Sequence, residues 1–342
     1  MAKDTPFSQV TRMRVLKHYL AAAGDLTAGN AWEHVYRCLL WFDIGAKLAH
    51  IYDSNHMQKG GTFHTRAVRF TNLLCTHWGI KRAELPAQLD VLFKGCVTEW
   101  RRRKAEEPDE IEAESEDEVE SELFAALKTH LAAAGVPAGK VEASAKAIEE
   151  LSKHFFTIEK KRQNALGEGF EDLLTLLLER VSKIPKERFA VRTPVSKLPG
   201  FLKTLPPKEG ERKKREPSPD IAIIDENITY VITTAKWSIR QDRETQFQHE
   251  YSSYQMNKKQ PTELRFALIT NEFDLARLRN VLEAMPGGAG GYIFHDVYHV
   301  SLPMLRETHG EGFNNFEPYV KLGKLKSLSD YLEDMRARYG VE

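Results

Sequence analysis

Two short β-branched runs separated by a turn constrain this chain more than any other feature. Ile221-Ala222-Ile223-Ile224 and Tyr230-Val231-Ile232 flank Asp225-Glu226-Asn227. Branched and aromatic side chains suit a pleated surface and Asp and Asn suit its turn, so the stretch predicts a β-hairpin. With the turn there, Asp220 heads the first strand and Lys236 ends the second, side by side. A carboxylate and an amine so placed can hold a divalent cation and polarise a water. Taken singly they are ordinary: Pro219-Asp220 is a common turn signal, and a lysine at a strand end is commonly a surface residue. Their joint placement around one hairpin raises them to a candidate site.

The flanking segments add further candidates. Gln241 to Asn257 contains neither Gly nor Pro and predicts a helix, on which Glu250 can reach the same pocket. Between strand and helix lies Arg240-Gln241-Asp242-Arg243. Arginine makes paired hydrogen bonds to O6 and N7 of guanine, and aspartate accepts from N4 of cytosine, so these three side chains can read adjacent G·C pairs. A bare motif of this kind more often caps a helix with a local ion pair. Directly after the strand end Thr234-Ala235-Lys236, base reading is favoured. Upstream, Arg162 to Leu174 opens a helix with the apolar face Phe170, Leu173, Leu174 and Leu177, carrying Glu168 and Glu171.

Together these residues resemble the PD-(D/E)XK nuclease superfamily. Thr234 stands where that pattern has an acid two residues before the lysine. A Ser or Thr at that position, a glutamate displaced onto the following helix, and an R-x-D-R segment after the lysine are similar to the CCGG-recognising type II restriction endonucleases. The resemblance covers about Arg162 to Tyr254. It implies Mg²⁺ held by Asp220 and Glu250, with Lys236 orienting or deprotonating the attacking water. Glu171 is the implied accessory carboxylate, with Glu168 one turn earlier as the alternative. Arg240, Asp242 and Arg243 would read a CCGG-containing palindrome in double-stranded DNA, leaving 5′-phosphate and 3′-hydroxyl ends with a 5′ overhang. A palindrome in turn implies a homodimer or a higher oligomer. An interrupted CCNGG site suits the same residues. A non-cleaving DNA-binding regulator, with Thr234 marking a lost metal site, and a structure-specific nuclease are the readings outside that family.

The expected fold class is α/β, a PD-(D/E)XK core of mixed central sheet flanked by helices with an added all-helical N-terminal domain. Residues 1–105 form the helical domain, 106–122 an acidic linker and 123–342 the nuclease domain. Two helices are expected between Val10 and Tyr52, a third at Arg66 to Leu74, and one or two more between Trp78 and Trp100. Leu123 to Phe156 is again helical. In the core, strands are expected at Phe189 to Arg192, Arg265 to Thr270 and, with alternation, Gly290 to Val300, and helices at Leu275 to Ala284 and Leu325 to Arg338. The basic run Arg101 to Lys104 suits phosphate contact or, equally, neutralisation by the acidic block that follows it at a domain junction, whereas Arg212 to Arg215, just upstream of Asp220, favours a phosphate-contacting or flexible lobe over a solvated loop. Arg66, Arg69, Lys81 and Arg82 suit phosphate contact, but a solvated helix face is the favoured reading.

Composition enters mainly through what it excludes. Lys plus Arg equals Asp plus Glu at 49 each, so net charge gives no global signal for nucleic acid. Three cysteines, Cys38, Cys75 and Cys96, make an odd set without paired spacing, which argues for a reducing cytoplasm and against disulfides or zinc. No apolar stretch approaches the ~18 residues of a membrane span.

Overall fold

The computed structural model describes residues 6–43, 47–49, 61–106, 165–202, 216–225, 228–239, 243–259, 264–285 and 291–341. The acidic segment 107–122, the expected helix 123–156, the basic cluster Arg212 to Arg215, and Arg240 with Asp242 lie outside these residues.

Near the N-terminus come helices α1 (Gln9–Ala22) and α2 (Ala31–Leu39), then a small antiparallel hairpin of β1 (Trp41–Asp43) and β2 (Lys47–Ala49). The helical pattern expected to continue to Tyr52 therefore stops early. Leu40 turns extended at φ −76°, ψ 146° and hands the chain to strand pairing. Helices α3 (Thr62–Trp78), α4 (Leu85–Gln88) and α5 (Val91–Glu106) follow. The Arg101 to Lys104 run continues α5: Arg102 pairs with Glu99, and Arg103 Nη2 donates to Thr11 Oγ1 of α1 at 2.8 Å.

A helix described over 165–180, here α6, leads into the main sheet. Its strands are β3 (Phe189–Val191), β4 (Ile221–Asp225), β5 (Ile228–Lys236), β6 (Arg265–Thr270), β7 (Asp296–His299) and β8 (Leu325–Ser327). They lie in sequence order, β3-β4-β5 antiparallel and β5-β6-β7-β8 parallel. The crossovers are carried by α7 (Arg243–Asn257), α8 (Leu275–Glu283), and α9 (Leu302–His309) with α10 (Glu317–Lys321); α11 (Leu328–Tyr339) closes the chain.

Burial explains the strand sequences. In β5, residues Val231 to Ala235 are buried without interruption, as befits a central strand covered on both faces. The same holds for β7, where all four residues are buried. The expected long alternating strand Gly290 to Val300 is thus shortened to Asp296–His299 and does not alternate, because its neighbours β6 and β8 pair parallel and neither face is left to water. Leu325 to Ser327, expected as the first turn of a helix, is instead the edge strand β8. Ser327 then caps α11 with a reciprocal Ser327–Asp330 capping box, which starts the helix at Leu328.

One apolar core runs through both parts, joining Leu16, Val35 and Phe70 of the N-terminal helices to Ile232, Leu268 and Leu332. The junction falls just past the C-terminal end of β6. Tyr36 Oη donates to Asn271 Oδ1 at 3.0 Å, Phe70 meets Phe273 edge-on at 5.0 Å, and Arg66 Nη1 donates to Phe273 O at 3.1 Å. Arg66, read above as part of a solvated face, is turned inward. Full burial of a Phe such as Phe70 contributes about 1.5–3 kcal/mol, so this seam is a substantial part of the fold. Among the described residues no helix is long and apolar enough to cross a membrane.

Candidate active site

The hairpin brings its two outer ends together. With Ile221 opposite Thr233, Asp220 falls beside the last residues of β5. Asp220 Oδ2 accepts from Lys236 Nζ and from the Ala235 backbone N–H, both at 2.7 Å. The side chains are only 14% and 19% exposed, which distinguishes the pair from a solvent-screened surface bridge. Thr234 is buried and contributes no charge. Beyond Lys236 the chain leaves the sheet, and Trp237 packs edge-on against Phe170 of α6 at 5.3 Å.

Helix α6 is apolar around most of its circumference, as a helix walled in on all sides must be. It approaches α5 so closely at Gly169 that a Cβ there would lie 2.2 Å from Leu92 Cδ2. This packing buries Glu171 and Asp172 as well, and both are satisfied by arginine. Arg192 Nε donates to Glu171 Oε2 at 2.5 Å, while Nη2 donates to Asp172 Oδ1 at 2.8 Å and to the Glu168 carbonyl at 2.9 Å. The backbone N–H of Arg192 also donates to Asp220 O at 3.1 Å. One residue therefore spans the helix acid and the strand acid. It does so in the left-handed region, at φ 48°, which costs a non-glycine residue about 1–2 kcal/mol. Asp172 is completed from the far side by Arg12 of α1, whose Nε donates to Oδ2 at 2.7 Å.

The two glutamates of α6 separate here. Glu168 is half exposed and pairs with Arg12 at 2.5 Å. Glu171 is buried and senses both Asp220 and Lys236. Burial and the Asp220 charge push its carboxyl up to about 7, against the lowering pull of Arg192 and Lys236. Glu250 belongs to the same electrostatic group. Burial raises its carboxyl, the Gln246 hydrogen bond and Lys236 pull it down, and Asp220 pushes it up.

Glu250 is positioned by α7, which lays Phe247, Tyr251 and Tyr254 against Phe294 and Phe266. The adjoining stripe of that helix, at i, i+3 and i+7, is polar: Arg243 Nη1 donates to Gln246 Oε1 at 2.5 Å and Gln246 Nε2 donates to Glu250 Oε1 at 2.6 Å. The residue preceding Arg240 is clamped from the segment after β6 and from α8. Ile239 N donates to Glu272 Oε2 at 2.7 Å, and Arg277 Nη1 donates to Ile239 O at 3.1 Å. Glu272 is almost fully buried, and burial pushes its carboxyl up to about 7.

Asp220 and Lys236 are thus in direct contact, Glu171 and Glu250 each feel the charges of both, and Arg243 connects to Glu250 through Gln246. Arg240 and Asp242 fall outside the described residues. Reading the chain did not single out Arg192, Asp172, Arg12, Gln246 or Glu272. For Gln246 a signal existed in the i, i+3, i+7 spacing of Arg243, Gln246 and Glu250; for Glu272 it was the polar pair Asn271-Glu272 directly after an apolar strand.

The donor chemistry fits a hard divalent cation. Asp220, Glu250 and Glu171 are all carboxylates, and each uses one oxygen for the hydrogen bonds above, the second having no protein donor among the described residues. Among those residues no three His, Cys, Asp or Glu side chains close into a cage. Mg²⁺ needs no such cage, being held typically by one or two carboxylates with waters and phosphate oxygens.

No protein-family model matches the chain, and no curated protein matches it. Among solved structures, the one described as the pre-specific restriction endonuclease BsaWI in complex with DNA aligns over 81% of this chain and 94% of its own, with 13% sequence identity and a TM-score of 0.32. A likeness at that TM-score bears on neither the fold nor the activity of this chain.

Proposed function

We propose that this chain is a Mg²⁺-dependent endonuclease of the type II restriction class, cutting double-stranded DNA at a palindrome that contains CCGG. The observation that carries the reading is the 2.7 Å Asp220–Lys236 contact at the mouth of the hairpin, with Glu250 and Glu171 electrostatically coupled to both. Asp220 and Glu250 would hold the cation, which when bound supplies Lewis acidity at the scissile phosphate and a more acidic water. Lys236, held in place by Asp220, orients the attacking water or takes its proton. Glu171 acts as the accessory carboxylate that keeps the local charge balance. Arg243, with Arg240 and Asp242, supports reading of G·C pairs, because a guanidinium matches the O6 and N7 pair of guanine. Products with 5′-phosphate and 3′-hydroxyl ends and a 5′ overhang, and a homodimer on the palindrome, belong to the same proposal.

The test is digestion of a fully sequenced plasmid by the purified protein with Mg²⁺ and with EDTA, followed by sequencing of the fragment ends. Discrete Mg²⁺-dependent fragments ending at CCGG palindromes are expected. Ends at CCNGG would shift the site while keeping the chemistry. Absence of cleavage together with sequence-specific binding would favour a regulator, and preferential cutting of a four-way junction would favour a structure-specific nuclease.

A further inference from the structure

We propose that Gln246 is a positioning residue that couples base reading by Arg243 to the placement of the Glu250 carboxylate, so that engagement of the correct base pair is transmitted to the metal site. The inference rests on the nuclease reading above and concerns the regulation of that same site. Its geometric basis is the hydrogen-bonded row on one stripe of α7. Arg243 Nη1 donates to Gln246 Oε1 at 2.5 Å, and Gln246 Nε2 donates to Glu250 Oε1 at 2.6 Å.

The chemistry of the three groups leaves this row only one polarity. A guanidinium only donates and a carboxylate only accepts, so the amide must turn its oxygen to Arg243 and its nitrogen to Glu250. All three side chains are partly buried, which removes much of the competition from water. Arginine carries five N–H donors in a rigid plane. Arg243 can therefore keep one on Gln246 while presenting others to a base edge, and the angle it adopts on the base is passed to the amide and on to Glu250. Polar pairs at i,i+3 and i,i+4 on an exposed helix face do no more than stabilise the helix by a few tenths of a kcal/mol. Here the last member of the row also feels the charges of Asp220 and Lys236.

This arrangement makes a specific demand on discrimination. A misread base would leave Arg243 at the wrong angle and Glu250 misplaced, so cleavage should discriminate between sites more sharply than binding does. Gln246→Met keeps length and helix propensity but breaks the row at both ends. Gln246→Glu keeps an acceptor for Arg243 and sets a second carboxylate against Glu250.

The experiment compares wild type and both variants on a cognate duplex and on duplexes with one changed base. Dissociation constants are measured with Ca²⁺ and single-turnover cleavage with Mg²⁺, with thermal melting as a control for folding. For Gln246→Met, cognate binding is expected within about threefold of wild type and cognate cleavage at least about tenfold slower, the loss due to one hydrogen bond to a charged group. Its cleavage discrimination should fall to the level of its binding discrimination. Gln246→Glu should bind with wild-type preference and not cut. A Gln246→Met protein with wild-type rate and discrimination would overturn the coupling, as would equal losses in binding and cleavage with a lowered melting temperature, which mark a merely structural role. A wild type that cuts no duplex at all fails the nuclease reading itself, before any variant is compared.

Discussion

Replacing Arg192 with alanine removes hydrogen bonds to Glu171, Asp172 and the Glu168 carbonyl in one step. Each of the two bonds to a carboxylate contributes about 1.5–3 kcal/mol. The full sum is not expected, because Asp172 retains Arg12 and Glu171 can take up a proton; about 3 kcal/mol is the working value. Glycine at the same position loses the same bonds but tolerates the φ of 48°. The left-handed conformation costs alanine about 1–2 kcal/mol, and the extra backbone freedom of glycine returns about 0.5–1 kcal/mol. Arg192→Gly should therefore be more stable than Arg192→Ala by about 0.5–1 kcal/mol.

The pH dependence follows from Glu171, whose carboxyl is held at about 7 when folded, above the ordinary value of 4.5. Arg192 lowers that value, so its removal raises it further. The charged bond counts fully above about pH 7 and is lost as pH falls through that value. Urea unfolding at about pH 8 and about pH 5.5 measures both effects. A cost of Arg192→Ala below about 1 kcal/mol at the higher pH would refute the reasoning, as would a cost that does not shrink at the lower pH, or a glycine variant no better than alanine.

Three further outcomes are expected. Lys236→Met should slow cleavage by about 10²–10⁴-fold, the range of a positioned proton-transfer group, and leave Ca²⁺-supported specific binding in place; single-turnover assays and gel shifts decide, and loss of both together would refute the role. Arg243→Ala should weaken cognate binding by about 1–3 kcal/mol and leave non-specific binding unchanged, so a competition assay showing an undiminished preference would remove it from base reading. Glu272 binds its proton more tightly folded than unfolded, so its contribution to stability falls as pH rises from the ordinary carboxylate range through about 7. Glu272→Gln should remove that share of the slope, and melting curves across pH that superimpose on wild type would contradict it.

How much of the molecule could be read from the chain depended on whether the signal was local. The hairpin of β4 and β5 and the strand Arg265–Thr270 were legible because β-branched runs and their turns declare themselves within a few residues. Asp220 and Lys236 were legible together only because a hairpin makes their neighbourhood computable from the turn. β8 was not, since three residues of strand are fixed by pairing with β7, which no window around Leu325 contains. Arg192 shows the same limit at the site: its partners Glu171 and Asp220 lie on different elements, and Val191-Arg192-Thr193 carries no motif. The common core of Leu16, Phe70 and Leu268 was likewise hidden, because an amphipathic helix states that it has an apolar face but not what covers it.

The bond from Arg12 to Asp172 spans 160 residues of chain and ends one residue from Glu171. Anyone shortening this protein will meet it. Removing α1 would delete Arg12 and leave Asp172, 1% exposed in the helix that carries Glu171, with Arg192 as its remaining arginine. Arg12 thereby acts as a keystone for chemistry encoded much later.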